Sequence, residues 1–174
     1  MIKKTRFRKL IINTNLIHKD KRGYFKEILL EKKIKSRFPF LVMSYSNKNV
    51  LRGLHLQTSN PQGKYVSVIK GQIFDVAVDC RPKSKTFGKH FKILLDEKNC
   101  KSIYIPPGFA HGFLGMKKEN IVVYGCDNYR HKNSEAGIMW NDPKLKIKWP
   151  TKKPILSKKD KQNKNFNFYF NKDE

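Results

Sequence analysis

Cysteine is scarce in this chain. Cys80, Cys100 and Cys126 stand far apart, with no C-x-x-C pair and no histidine at zinc-finger spacing. That excludes a disulfide framework and a finger-type zinc site, and isolated thiols of this kind most often behave as buried small hydrophobes. Long apolar runs are missing too. Each is broken by Lys, Gly or a polar residue well short of the ~20 residues that a bilayer crossing needs. The basic stretch from Met1 to Leu16 lacks an apolar segment ending in a small-residue cleavage site, so it does not read as a secretory leader. A cytoplasmic protein with no membrane association is the expectation. Acidic residues are few: 14 against 38 Lys and Arg, a net charge of +24. Arginine is also thin, seven of those 38, and bidentate recognition of phosphates and bases favours guanidinium over ammonium. The lysines are spread along the whole chain, so nucleic acid is not expected as the primary ligand. The field still draws an anionic small substrate towards a cleft.

What is present supports one core. A length of 174 residues with 39% hydrophobic and 12% aromatic residues suits a single domain. We place that domain at residues 1–160 and read 161–174 as a Lys/Asn-rich tail, whose Phe166, Phe168, Tyr169 and Phe170 either pack back or fray. Thr5 to Leu16 reads as extended, His18 to Gly23 as a turn, and Tyr24 to Leu30 as a strand. Glu31 to Phe38 is the one credible helix before residue 130, ended by Pro39. Phe40 to Tyr45 is strand-like. Tyr65–Ile69 and Ile73–Asp79 flank Lys70-Gly71-Gln72 and predict a hairpin. In the second run Phe74, Val76 and Val78 alternate with Asp75, Ala77 and Asp79. Further short runs at His90–Leu95, Lys101–Ile105, Phe109–Leu114 and Ile121–Cys126 complete the pattern of an all-β sandwich or barrel.

Two histidine segments carry the chemistry. Val50-Leu51-Arg52-Gly53-Leu54-His55-Leu56-Gln57 sets an Arg and a His three apart, which in a regular strand puts them on opposite faces unless Gly53 marks a bulge. Ile105-Pro106-Pro107-Gly108-Phe109-Ala110-His111-Gly112-Phe113 brings the second. A metal is not expected: the residue two beyond His55 is Gln57, no Glu follows nearby, and one His does not make a site. Lys64 stands just before a strand, and the Tyr124 phenol sits within an apolar run where it needs a polar partner. His, Lys and Tyr together form an acid–base set, in which His takes a proton, Lys⁺ steadies an enolate oxygen and Tyr returns a proton.

With those residues go ordered strings: Asp20-Lys21-Arg22-Gly23-Tyr24-Phe25-Lys26-Glu27, Val50–Gln57, Gln62-Gly63-Lys64, Phe74–Asp79, Thr86-Phe87-Gly88-Lys89, Ile105–Phe113, Trp140-Asn141-Asp142-Pro143 and Leu156-Ser157-Lys158-Lys159-Asp160. Across residues 5 to 160 the chain resembles the dTDP-4-dehydrorhamnose 3,5-epimerase family of cupin-like nucleotide-sugar epimerases. The resemblance implies a cupin-type jelly-roll barrel with short peripheral helices, a homodimer, and no metal or redox cofactor. It implies His55 as base and Asp160 as the carboxylate that orients it. Tyr124 would be the acid on the opposite sugar face and Lys64 the cation at the C4 oxygen. His111 would lie close to the sugar and Phe113 would line the pocket. Arg52 and Glu135 match substrate-binding positions, while Arg22, Phe25 and Glu27 match a segment that reaches the nucleotide from the partner subunit. Two departures stand out. Val42-Met43-Ser44-Tyr45-Ser46 occupies the place of the family's Gln-x-Asn, and Arg130 that of an aromatic.

The expected activity is inversion at C3 and C5 of a dTDP-4-keto-6-deoxyhexose, in deoxysugar biosynthesis for surface polysaccharide. The alternatives are inversion at one carbon only, a keto-isomerase acting through a related enediol, and a non-catalytic cupin that binds anions. CDP, GDP and UDP sugars stay open as substrates beside the dTDP sugar.

Overall fold

The computed structural model describes residues 1–170. Two antiparallel sheets and a hairpin are built from β1 (Ile2–Lys4), β2 (Ile11–Thr14), β3 (Ile17–Asp20), β4 (Gly23–Lys26), β5 (Phe40–Asn47), β6 (Leu51–Gln57), β7 (Lys64–Lys70), β8 (Gln72–Asp79), β9 (His90–Asp96), β10 (Lys101–Ile105), β11 (Phe109–Gly115), β12 (Glu119–Cys126) and β13 (Glu135–Gly137). Short helices α1 (Glu31–Ile34), α2 (Lys158–Lys161) and α3 (Phe166–Phe170) lie at the periphery. One sheet runs β1-β2-β10-β7-β12-β5 and the other β13-β6-β11-β8-β9, with β3 and β4 forming a separate hairpin. Consecutive strands repeatedly change sheet: β5 to β6, β7 to β8 and β11 to β12. This is the jelly-roll barrel the sequence implied.

The run pair around Gly71 is therefore not a hairpin. β7 belongs to the six-stranded sheet and β8 to the five-stranded one, and Gly71, at φ +81°, turns the chain from one to the other. A barrel corner and a two-residue hairpin both need alternating strands and a residue tolerant of positive φ, so local sequence does not separate them. What separates them here is the partners at the turn. The Gly71 N–H donates to the Glu97 carboxylate at 2.9 Å and the Gln72 N–H to the Asn120 side chain at 3.1 Å.

Three apolar layers hold the barrel. Between the sheets lie Phe7, Leu10, Val66, Val68, Ile73, Ala77, Ile103 and Phe109, all at most 3% exposed. The outer face of the five-stranded sheet packs Leu54, Val76, Val78 and Ala110 against Ile138, Leu145 and Phe166 from the C-terminal segments. A smaller cluster of Ile34, Tyr65 and Tyr104 sits under α1, with Phe38 packed against it. The apolar alternation of Phe74, Val76 and Val78 thus faces the outer layer. Asp75 and Ala77 face the barrel interior.

Two local expectations change and one left open is decided. Thr5 to Leu16 is not extended throughout: residues 5–10 form a loop between β1 and β2, in which the Thr5 hydroxyl accepts from the Phe7 N–H at 3.2 Å and donates to the Leu10 carbonyl at 2.8 Å, and Phe7 and Leu10 are buried in the core. The helix at Glu31 stops at Lys35, whose φ of 58° is left-handed, well before Pro39. The Glu31 carboxylate then accepts from the Phe38 N–H at 2.8 Å. In the tail, Phe166 is fully buried, with its ring 5.4 Å from Phe87 and 4.7 Å from Phe170, so residues 161–170 pack back on the domain. Residues 171–174 lie outside the described residues.

Candidate active site

A pocket of about 700 Å³ opens between the sheets, lined among others by Arg52, His55, Lys64, His111, Phe113, Tyr124, Arg130, Glu135, Lys159 and Asp160. Its two walls come from different sheets. His55 on β6 and His111 and Phe113 on β11 belong to the five-stranded sheet, Lys64 on β7 and Tyr124 on β12 to the six-stranded one. Arg52 and His55 share the pocket face because β6 bulges between them. The ladder pairs His55 with His111 and Arg52 with Phe113, so that two residues of β6, Gly53 and Leu54, oppose one of β11, Gly112. Gly53, at φ +125°, makes this possible; a Cβ there would stand 2.5 Å from the Gly112 Cα.

His55 Nε2 lies 2.5 Å from Asp160 Oδ1. A ring that donates Nε2–H to this carboxylate keeps its free lone pair on Nδ1. Asp160 comes from α2, capped by Ser157, whose hydroxyl oxygen accepts from the Asp160 N–H at 3.0 Å. The Ser157 cap and the pairing of Asp160 with His55 are thus one arrangement. Burial pushes the Asp160 carboxyl up, but hydrogen bonds from His55, Ser157 and the Gly53 N–H outweigh it and leave the group below its ordinary range. It stays a carboxylate.

His111 is buried and pairs through Nε2 with Asp75 Oδ2 at 2.7 Å. Asp75 was read only as part of a strand pattern. The available signal was a carboxylate inside the run Ile73–Asp79, on the face opposite Phe74, Val76 and Val78: a buried acid needs a partner, and His111 is the titratable residue of β11, one of the two strands paired with β8.

Lys64 is set by the loop before it. The Gly63 N–H donates to Asp127 Oδ1 at 2.6 Å, the Tyr104 hydroxyl to Asp127 Oδ2 at 3.0 Å, and the Gln62 amide to the Asn128 carbonyl at 2.6 Å. Burial lowers the Lys64 pKa, with the acidic groups of Cys126, Asp127, Glu135 and Asp75 opposing that fall. Arg52 is anchored to β5, donating to the Ser46 hydroxyl and the Tyr45 carbonyl, each at 2.9 Å. Glu135 accepts from Arg130 and, at 2.7 Å, from Lys159. The Arg130 hydrogen bonds, helped by Lys159 against the effect of burial, pull its pKa down to about 2.

Arg22, Phe25 and Glu27 do not join this pocket. Arg22 and Phe25 sit on the β3–β4 hairpin, where Arg22 pairs with Asp20 at 2.6 Å and Phe25 is 68% exposed. Glu27, just past the hairpin, faces Lys33 at 3.7 Å. Val42 makes part of the wall apolar: it pairs with Tyr124 across the ladder and lines the pocket beside Phe40. Among the described residues no three His, Cys, Asp or Glu side chains converge as a metal site, and no helix is long and apolar enough to cross a membrane.

Residues 4–167 match the family model described as dTDP-4-dehydrorhamnose 3,5-epimerase. The enzyme of that name from Methanothermobacter thermautotrophicus is 44% identical over 153 residues, covering 83% of each chain. That from Shigella flexneri is 39% identical over 90% of this chain and 91% of its own. Among solved structures, a dTDP-6-deoxy-D-glucose-3,5-epimerase from Legionella pneumophila in complex with dTDP-4-keto-L-rhamnose superposes with a TM-score of 0.91 at 40% identity, over 96% of this chain and 93% of that one. With its jelly-roll fold, its pocket and its ordered motifs matched along nearly the whole length, the chain belongs to the dTDP-4-dehydrorhamnose 3,5-epimerase family.

Proposed function

We propose that the protein inverts C3 and C5 of a dTDP-4-keto-6-deoxyhexose by proton abstraction and return. The observation that carries this reading is a base and an acid on opposite walls of one pocket, His55 with its Asp160 partner on one side and Tyr124 on the other. A C4 ketone acidifies the C–H bonds at C3 and C5, since loss of either proton gives an enolate. His55 Nδ1 takes the proton and becomes imidazolium, steadied by Asp160. The Lys64 ammonium stands against the enolate oxygen and lowers the cost of charge there. Tyr124 then protonates the same carbon from the other face, which inverts it. Solvent exchange returns the proton from His55 to Tyr124 and resets the site. His111, fixed by Asp75, and Phe113 shape the sugar end, while Arg52 and Glu135 hold the rest of the substrate.

The dTDP-sugar substrate is supported by the ligand in the Legionella structure. A homodimer is supported by a row of exposed side chains on the outer face of β5, Leu41, Met43 and Tyr45, between 49% and 68% exposed. In that assembly Arg22, Phe25 and Glu27, which leave their own pocket free, serve the partner's. A nucleotide-sugar substrate supports a cytoplasmic activity, in deoxysugar biosynthesis for surface polysaccharide.

Proton NMR of dTDP-4-keto-6-deoxyglucose with the protein in deuterated water tests this directly. Deuterium entering at both C3 and C5, and no exchange with His55→Ala, is the expected result. Entry at one carbon makes the protein a mono-epimerase. Exchange that survives His55→Ala removes His55 as the base.

A further inference from the structure

Resting on the reading above and deepening it, we propose that Arg130 is a direct ligand of the substrate's diphosphate. Arg130 follows β12 in the chain and lines the pocket. Its Nε and Nη2 both donate to the Glu135 carboxylate, the second at 3.2 Å to Oε2. The same Oε2 accepts from Lys159 Nζ at 2.7 Å. One carboxylate therefore serves two cations, which leaves a unit of positive charge at the pocket's edge. The grip is side-on. It uses two of the five guanidinium N–H groups and leaves the Nη1 pair and one Nη2 hydrogen directed elsewhere. With 58% of its side chain exposed, Arg130 can present these to a ligand.

Two physical arguments make that ligand a phosphate. A guanidinium already fixed by a carboxylate has lost its rotamer freedom before the ligand arrives, so binding costs less ordering than it does with a free surface lysine. The planar fork then matches two oxygens of an anionic group. Glu135 stays ionised far below neutral pH, so it remains a fixed anchor and does not release Arg130 by protonation. A dianionic diphosphate compensates the residual charge of Arg130, Glu135 and Lys159, whereas a neutral sugar hydroxyl does not.

The experiment is calorimetric titration with dTDP of the unsubstituted protein, Arg130→Gln and Arg130→Lys, each at low and at high salt. Loss of one charge-assisted contact is expected to weaken binding by Arg130→Gln about tenfold or more and to flatten its salt dependence. Arg130→Lys is expected to recover only part of the affinity, because an ammonium lacks the fork. Equal affinity in Arg130→Gln overturns the proposal. So does a loss with undiminished salt dependence, since Arg130 would then act only by holding Glu135. Turnover of the keto-sugar by the unsubstituted protein is measured alongside. Intact turnover with an unaffected Arg130→Gln sinks this inference alone, whereas absent turnover and absent dTDP binding sink the underlying reading with it.

Discussion

The acidity of Lys64 is set by its surroundings. Burial disfavours its ammonium, and the neighbouring acidic groups recover only part of the loss, so its pKa lies below that of a free lysine. If the ammonium is what steadies the enolate, activity holds while Lys64 is charged and falls as pH rises through the lowered pKa. The alkaline limb of the rate profile is then expected at a lower pH than an exposed lysine would give, and Lys64→Met is expected to cost about 100-fold in kcat, the scale of one lost oxyanion donor. A limb at the ordinary lysine position, or a variant that keeps its rate, would remove Lys64 from the enolate. At this scale the sequence was readable where a residue's chemistry is unusual for its place, as with a lysine ahead of a strand or a phenol in an apolar run. Asp75 was not. Its role depends on reaching His111 diagonally across the β8–β11 ladder, where Asp75 itself lies opposite Phe113, and which strand lies beside which is not written in the local pattern.

At the scale of elements the same limit explains the turn at Gly71. The central strands from β7 to β12 followed from the sequence to within a few residues of the observed bounds, whereas β1 and β13 were not read and β3 falls partly on residues read as a turn; the pairing of β7 with β10 and β12, and of β8 with β9 and β11, is decided by contacts distant in sequence. The tail is a similar case. Its lysines and asparagines suggest a solvated segment, yet Phe166 fills the outer layer against Phe87, a contact across some 80 positions that composition does not reveal. The β6 bulge lies between these extremes, since a Gly between Arg52 and His55 signalled it and the ladder supplies it. Gly53→Ala tests how far the site depends on that bulge. The added methyl meets the Gly112 Cα and the His111 carbonyl at 2.5 and 2.7 Å, on a backbone with φ of +125°. The strands must separate, and a loss of about 1–3 kcal/mol in stability is expected, read as a lower thermal midpoint together with reduced exchange activity from a displaced His55. Unchanged stability would mean that the β6–β11 contact yields without cost.

At the scale of the whole molecule, the proposed dimer rests on β5 and on the β3–β4 hairpin. β5 is an edge strand of the six-stranded sheet, and edges that carry apolar residues are ordinarily covered. Its outward Leu41, Met43 and Tyr45 lie beside Gly125, Val123 and Ile121 of β12, a surface suited to a second copy related by a two-fold axis. The hairpin bearing Arg22 and Phe25 projects from the same chain with both side chains exposed. If the hairpin completes the neighbour's site, two defective proteins can repair each other. A His55→Ala chain keeps an intact arm but no base, and an Arg22→Ala/Glu27→Ala chain keeps its base but no arm. In a mixed dimer, the second chain's pocket receives the first chain's arm and becomes whole. Mixing the two inactive variants and allowing subunits to exchange is therefore expected to restore deuterium incorporation, while Leu41→Lys/Met43→Lys in both, which places like charges face to face, abolishes the rescue and halves the mass in solution. Arms acting on their own pockets would leave every combination inactive, because each mixed dimer would then pair one site without a base with one site without an arm.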